Sequence, residues 1–243
     1  GSDLANISTR AALDGDEWVI DGQKVWTSLA HWSQWCFVLA RTDRDAPRHR
    51  GISYLLVPMD QPGIEIRPIE QITGTSEFNE VFFDGARTAV DNVVGEVNGG
   101  WKVAMGTLAF ERGALTLGQQ LSFVNEWHEI LATARERHVA TDLVLRQQLA
   151  QAWIELEIMR YTALRGLTAM AKGEVTRETS ISKLYWASLH RRLGELAMTA
   201  LGPWSEIGDA APYDLTLPQR LFLYTRADTI YGGSNEIQRN VIG

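Results

Sequence analysis

Glu111 is the residue whose type and setting most suggest chemistry. In Leu108-Ala109-Phe110-Glu111-Arg112-Gly113 it falls on the stripe Ala104, Leu108, Glu111, Leu115, Gly118, the 4,3 periodicity of a buried helix face. A charge in an apolar row is costly unless it is paired or neutralised. Two roles meet that condition. Glu111 is either a core acid satisfied by a neighbouring arginine, with Arg112 at hand, or a general base whose pKa is raised by desolvation. Two further stretches carry chemical groups. Trp26-Thr27-Ser28 sets an indole beside two hydroxyls, either as a ligand-facing strand or as a core Trp next to a hairpin. In Tyr231-Gly232-Gly233-Ser234-Asn235-Glu236, Ser234 suits a helix cap and Glu236 its first turn, where the helix dipole favours an acid.

These groups need elements to hold them. Residues 4–95 have strand grammar. Glu17–Ile20 and Gln23–Ser28 flank Asp21-Gly22, the strongest short hairpin signal. Trp35–Thr42, Gly51–Met59, Ile64–Ile69 and Val81–Phe83 follow, separated by Pro47, Pro58-Met59-Asp60, Pro62-Gly63 and Asp84-Gly85, which read as turns. Close-spaced strands without intervening helices predict a small antiparallel barrel or sandwich. After Asn98-Gly99-Gly100 the period becomes helical. One helix is predicted from Trp101 to about Arg137. A second is capped by Thr141-Asp142, buries Leu145, Leu149, Ala152, Leu156, Met159, Ala163 and Leu167, and stops at Gly173. A third runs from about Arg177 to Leu201 and stops at Gly202-Pro203. A fourth begins near Pro218 and carries Leu221, Phe222, Thr225 and Asp228. Ser234 caps a last short one. Antiparallel helices with short connections form a bundle, with the division between the two parts near residue 95.

The net charge of −7 with scattered Lys and Arg argues against nucleic acid or an anionic membrane as the main partner, while leaving room for an anionic small ligand. The lone Cys36 has no internal disulfide partner and suits a reducing cytoplasm. No apolar run approaches the roughly 18–20 residues of a membrane span. Nine tryptophans suggest large flat contacts in a core, an interface or a cofactor site. Gly1-Ser2-Asp3-Leu4 lacks an initiator Met and reads as the middle of a chain or a tag scar.

Gly22-Gln23-Lys24-Val25-Trp26-Thr27-Ser28, Phe110-Glu111-Arg112-Gly113 and Tyr231-Gly232-Gly233-Ser234-Asn235-Glu236-Ile237-Gln238-Arg239, in that order and spacing, resemble the acyl-CoA dehydrogenases. These flavoproteins oxidise an acyl thioester to its 2,3-enoyl form, and the resemblance covers essentially the whole chain. It implies an α+β, multi-domain fold: an antiparallel β-barrel over 1–95 and a C-terminal four-helix bundle over 96–243. The family's N-terminal helical domain is absent from this sequence, which then represents a truncated or partial subunit.

The resemblance also implies roles. The family's base stands at one of two positions. The first directly follows the tyrosine of the C-terminal motif and here is Gly232. The second precedes an arginine on the long bundle helix and here is Glu111, the site used by subfamilies acting on branched or long acyl groups. Glu111 is thus expected to take the α-proton while the β-hydride goes to flavin N5. Arg112 and Ser2 resemble contacts to the CoA portion, and Tyr231 and Gly232 resemble substrate-lining positions. Trp26, Thr27 and Ser28 look like the strand backing the isoalloxazine ring. Arg137 and Gln148 resemble residues reaching across a dimer to the FAD diphosphate and adenosine. Ser234 and Glu236 match positions near the adenosine end, and Gly202 belongs to the same cofactor side.

Two departures lie on that side: Ala140-Thr141 where the family often has Phe-Gly, and Leu201-Gly202-Pro203 in place of Gly-Gly. These, with the stretch Gln71–Glu80, are reminiscent of the two-gene actinobacterial enzymes that pair unlike subunits, handle bulky, often steroid-derived acyl chains, and bind FAD at only some interfaces. The implied cofactor is FAD. The implied partners are an acyl-CoA substrate, an electron-transfer flavoprotein and further subunits in a homo- or hetero-oligomeric tetramer (dimer of dimers), without metal, nucleic acid or membrane insertion. Competing expectations are a non-catalytic or half-site subunit of a hetero-oligomer and a flavin oxidase or monooxygenase on the same fold.

Overall fold

A computed structural model of the chain describes residues 1–114, 116–173, 178–208 and 214–243, with side chains at 109–116 and 178–179 outside the description. The chain divides into two compact units, Asp3–Ala109 with Gly1, and Phe110–Gly243 with Ser2.

The first unit contains strands β1 (Arg10–Asp14), β2 (Glu17–Ser28), β3 (Trp35–Arg41), β4 (Ile52–Pro58), β5 (Ile64–Ile69) and β6 (Phe78–Ala89). They form a six-stranded sheet in the order β4-β3-β1-β2-β6-β5. Pairing is antiparallel except where β1 and β3 meet in parallel at Arg10 and Arg41. Alternation along the strands turns Trp18, Ile20, Val38, Ala40, Leu55, Val57, Val81 and Phe83 into one core. Burial of each large side chain of this kind contributes about 1.5–3 kcal/mol.

Two turn expectations are corrected here. Asp21-Gly22 is not a hairpin, because β2 runs straight through it; the hairpin joining β1 to β2 turns at Gly15 and Asp16. Asp84-Gly85 likewise lies inside β6. The two dipeptides meet at one β-bulge, where the β2–β6 register skips Gly85 between Ala86 opposite Ile20 and Asp84 opposite Asp21. Asp21 Oδ1 accepts the Gly85 N–H at 2.9 Å. Gly85 has φ +69°, the left-handed conformation such bulges use. Gly22 is required by proximity, since a Cβ there would stand 2.8 Å from Thr9 Cα. Asp-Gly therefore marks positive-φ backbone here, and the tertiary pairing decides whether that backbone is a turn or a bulge.

Helix α1 (Gly100–Ala114) begins in the first unit and ends in the second. The second unit continues with α2 (Thr116–Glu136), α3 (Leu143–Ala171), α4 (Glu178–Leu201), α5 (Leu217–Tyr224) and α6 (Asn235–Ile242). Asp142 caps α3 by accepting the Leu145 N–H, and Thr216 caps α5 with a capping box to Gln219. Leu145, Leu149, Ala152, Leu156, Met159 and Ala163 of α3 are buried as expected. Leu167 is 40% exposed, because small residues, Gly166 and Ala169, continue the buried stripe instead. The bundle core adds Phe123, Ile130 and Ala134 of α2 and Trp186, Leu189, Leu193 and Leu196 of α4. Asp228 lies beyond α5, which ends at Tyr224 with Thr225 as its C-cap.

Candidate functional site

In the sheet, the end of β2 is bulged a second time. Between Lys24, opposite Val81, and Thr27, opposite Asn79, two residues of β2 face one residue of β6. Trp26 occupies this bulge with φ +63°, an uncommon backbone for a bulky residue. The bulge turns the indole outward, 61% exposed and edge-on to Phe78 at 6.2 Å. The alternative of a core Trp is thereby set aside. Val25, Leu29 and Trp32 are exposed as well. Buried Asn79 anchors the segment, donating from Nδ2 to the Thr27 carbonyl at 3.0 Å and sharing a 3.0 Å hydrogen bond with His31 Nδ1. Leu29 donates its N–H to the Glu77 carbonyl at 2.7 Å. Thr27 is half-buried and Ser28 exposed. A rigid, outward apolar face beside two hydroxyls is a suitable backing for a flat aromatic ligand.

In the bundle, Tyr231, Gly232, Ser234 and Glu236 are contiguous at the start of α6. Ser234 caps that helix, its Oγ accepting the Ile237 N–H at 3.4 Å. Exposed Glu236 is held below the usual carboxylate range by its own backbone N–H and by the Ser234 hydroxyl. Gly232 has φ +62°. Fully buried Gln238 donates to the carbonyls of Gly232 at 3.0 Å and Gly233 at 3.4 Å. The side-chain oxygens of Asn235 and Gln238 are buried acceptors with no protein partner among the described residues.

Beneath this turn lies an ionic cluster that sequence reasoning missed. His190 of α4 is buried between two carboxylates, with Nδ1 2.7 Å from Asp228 Oδ2 and Nε2 2.8 Å from Glu126 Oε2. Its ring stacks on Phe123 at a centroid distance of 3.9 Å. Asp228, itself fully buried, also accepts the Tyr231 hydroxyl at 2.6 Å, and its backbone carbonyl accepts from Lys183 Nζ. Burial alone disfavours the imidazolium, but the bonds to Asp228 and Glu126 and their charges outweigh it, and the His190 pKa is raised to about 9. Burial lowers that of Lys183. Burial and the bond to Asp228 push the Tyr231 phenol well above its ordinary range. Lys183 and His190 stand seven residues apart on one face of α4, a spacing that in retrospect pairs two cations on a buried helix face.

Glu111 and Arg112 lie in the last turn of α1, and their side chains fall outside the described residues. On the stripe first drawn through Glu111, Ala104 is buried, Leu108 half-buried and Gly118 exposed, so that face is not uniformly buried. Ser2 is exposed in the turn preceding Leu4–Asn6. Arg137, just past α2, lays its guanidinium over the Trp204 ring at 4.9 Å, two residues from Gly202, whose φ is +60°. Gln148 is exposed on α3 and lines a groove of about 420 Å³ between α3 and α4 with Gln147, Gln151, Glu155 and Arg192.

This geometry can be compared with that of known proteins. Residues 98–243 match the family model of the acyl-CoA dehydrogenase C-terminal domain, and residues 1–86 match that of the middle domain. Acyl-CoA dehydrogenase IpdE1 of Mycobacterium tuberculosis is 57% identical over 242 residues, which cover 100% of this chain and 62% of that protein. The protein of the same name from Mycolicibacterium smegmatis is 54% identical, covering 100% of this chain and 63% of its own length. Among solved structures, the Tcur3481-Tcur3483 steroid ACAD G363A variant superposes with a TM-score of 0.89 at 33% identity, over 100% of this chain and 64% of that one. The ChsE4-ChsE5 complex from Mycobacterium tuberculosis gives 0.83 at 28% identity, with 100% and 64% covered. The chain thus spans about 62% of the length of the first of these relatives. The models of both domains match in chain order and together cover most of the chain: it belongs to the acyl-CoA dehydrogenase family.

Proposed function

We propose that this chain forms the barrel and bundle of an FAD-dependent acyl-CoA dehydrogenase acting on a branched or bulky, steroid-derived acyl-CoA, with Glu111 as the base. Members of the family are FAD flavoproteins, and the residues here suit that cofactor. The outward face of Trp26 with Thr27 and Ser28 fits the isoalloxazine ring. The buried acceptors Asn235 Oδ1 and Gln238 Oε1, without a protein partner among the described residues and beside Ser234 and Glu236, suit ribose hydroxyls. Arg137, Gln148 and Gly202 are assigned to the diphosphate and adenosine side. FAD, when bound, supplies the acceptor for the β-hydride.

The observation that carries the choice of base is at Gly232, where the family's alternative carboxylate position holds a glycine at φ +62°. An α-proton beside a thioester is weakly acidic and needs a carboxylate tuned upward by an apolar setting. Glu236 is exposed and shifted downward, opposite to what that step requires. The Tyr231 phenol, pushed upward, stays protonated. Glu111 is the carboxylate left at a family position. In the bound complex it removes the α-proton, Arg112 and Ser2 hold the CoA portion, and Tyr231 and Gly232 line the acyl group. An electron-transfer flavoprotein takes the electrons onward. We place the reaction in the cytoplasm, in keeping with the lone cysteine; no helix among the described residues is long and apolar enough to cross a membrane.

A second reading, a half-site subunit of a hetero-oligomer, draws on two observations. Two of the similar structures are two-component complexes. In addition, Ile154, Ile158 and Tyr161 form an exposed apolar stripe on α3, opposite its buried face. The test is to purify the full-length protein alone and with an unlike homologue, measure flavin content, and follow anaerobic bleaching by a panel of acyl-CoAs. Glu111→Gln is expected to keep its flavin and slow bleaching by at least about 10²-fold. Bleaching at the wild-type rate would remove Glu111 from the role.

A further inference from the structure

The cluster around His190 does more than fill the bundle. We propose that His190 is a positioning residue: held as an imidazolium between Glu126 and Asp228, it fixes Asp228, and through it Tyr231 and the Gly232–Gly233 turn, for acyl-CoA binding. This rests on the reading that Tyr231 and Gly232 line the substrate.

Three features of the geometry carry it. Both ring nitrogens lie within 2.8 Å of carboxylate oxygens, and a carboxylate only accepts, so both nitrogens must donate. A neutral imidazole satisfies one of the two and leaves the other facing a lone pair. Asp228 then divides its acceptors: Oδ2 takes His190, Oδ1 takes the Tyr231 hydroxyl at 2.6 Å, and the backbone carbonyl takes Lys183. Both carboxylate oxygens and the backbone carbonyl of this fully buried residue are thus each held by a side chain, two of them, His190 and Lys183, themselves buried. Finally, Gln238 holds the carbonyls of Gly232 and Gly233 from the other side of the turn. The turn is clamped at Tyr231 by charge-assisted bonds and at Gly232–Gly233 by neutral ones, and only the first clamp responds to protonation.

The titratable groups facing the imidazole are Glu126 from α2, Lys183 from α4, and Asp228 and Tyr231 after α5, with Tyr224 at the end of α5 against Tyr231. Loss of the His190 proton leaves two carboxylates in the cluster with one donor fewer. The segment carrying Tyr231 then loosens while α6 and its Ser234 cap stay in place.

The experiment uses the full-length protein with any partner subunit it requires, wild type beside His190→Gln. Glutamine offers one donor nitrogen and one acceptor oxygen where the imidazolium turns a donor nitrogen to each carboxylate, so it cannot reproduce both bonds. Hydrogen exchange at neutral pH, without ligand, is expected to speed up about tenfold over residues 228–234 in the variant. Unchanged exchange there overturns the proposal. In steady state the variant is expected to raise KM about tenfold and change kcat by less than about threefold. The wild-type KM should climb as pH passes about 9, and the variant's should stay flat. A KM and pH profile equal to wild type would also overturn it. Should His190→Gln fail to fold, Tyr231→Phe removes only the hydroxyl that Asp228 accepts, and a KM unchanged from wild type in that variant decides against the proposal. If no acyl-CoA bleaches the wild type, the functional reading fails, while the exchange comparison still decides the role of His190.

Discussion

The end of β2 and the start of α6 both carry residues proposed to face the cofactor, and they are built on opposite plans. At Trp26 the backbone is bulged and the side chain is thrown outward, with one buried amide, Asn79, holding the loop behind it. At Tyr231–Gly233 the turn rests on a buried cluster of charges, and Gln238 grips its carbonyls. The first region offers a surface and depends little on its own side chain for stability. The second offers backbone and a phenol ring, and depends on charges that are costly to bury unless each is met. A surface that meets a ligand can be left open, whereas a turn that must keep one conformation needs rigid support.

Removing Asp228 is the severest way to break this contrast. Asp228→Ala leaves His190 with Glu126 alone and takes away the Tyr231 acceptor, and is expected to cost about 3–5 kcal/mol in denaturant unfolding. A loss below about 1 kcal/mol would mean that the cluster supports nothing. The pH dependence follows from the same residue. The folded-state pKa of His190 is raised from 6.5 to about 9, so its stabilisation is fully present below pH 6.5 and lost as pH rises through about 9. The loss amounts to about 3 kcal/mol, read as a falling urea midpoint between these values, with Asp228→Ala flattening the curve. The smallest effect on stability is expected at the open region. Trp26→Ala should change unfolding by less than about 1 kcal/mol while lowering the flavin content of the purified protein. A large destabilisation with flavin retained would reverse the comparison, making Trp26 structural.

Much of the bundle was legible from local chemistry. Asp142, Ser234 and Pro218 mark helix starts, and Gly173 and Gly202 mark ends, because a cap or a left-handed residue acts on neighbours within one turn. The Asp-Gly pairs at 21–22 and 84–85 were legible only as places of unusual backbone. They belong to strands whose register is set 63 residues apart, at Asp21 opposite Asp84, and no local rule says that they face each other. The outward turn of Trp26 was also beyond local reading, since alternation along β2 is reset by the bulge.

The amino-acid sequence by itself determined the class of the molecule, a strand-rich half followed by long capped helices. Its three motifs in register determined the family. These signals are periodicities and short spacings, which survive in any context the chain adopts. Only the tertiary structure decided that Glu126, His190 and Asp228 are one unit, because they come from α2, α4 and the segment after α5 and are bonded across 64 and 38 residues. Taken singly, each is an ordinary helix or loop polar residue. Their burial together is what makes their charges matter, since the strength of an ionic bond is set by the surrounding medium and not by the sequence around either partner.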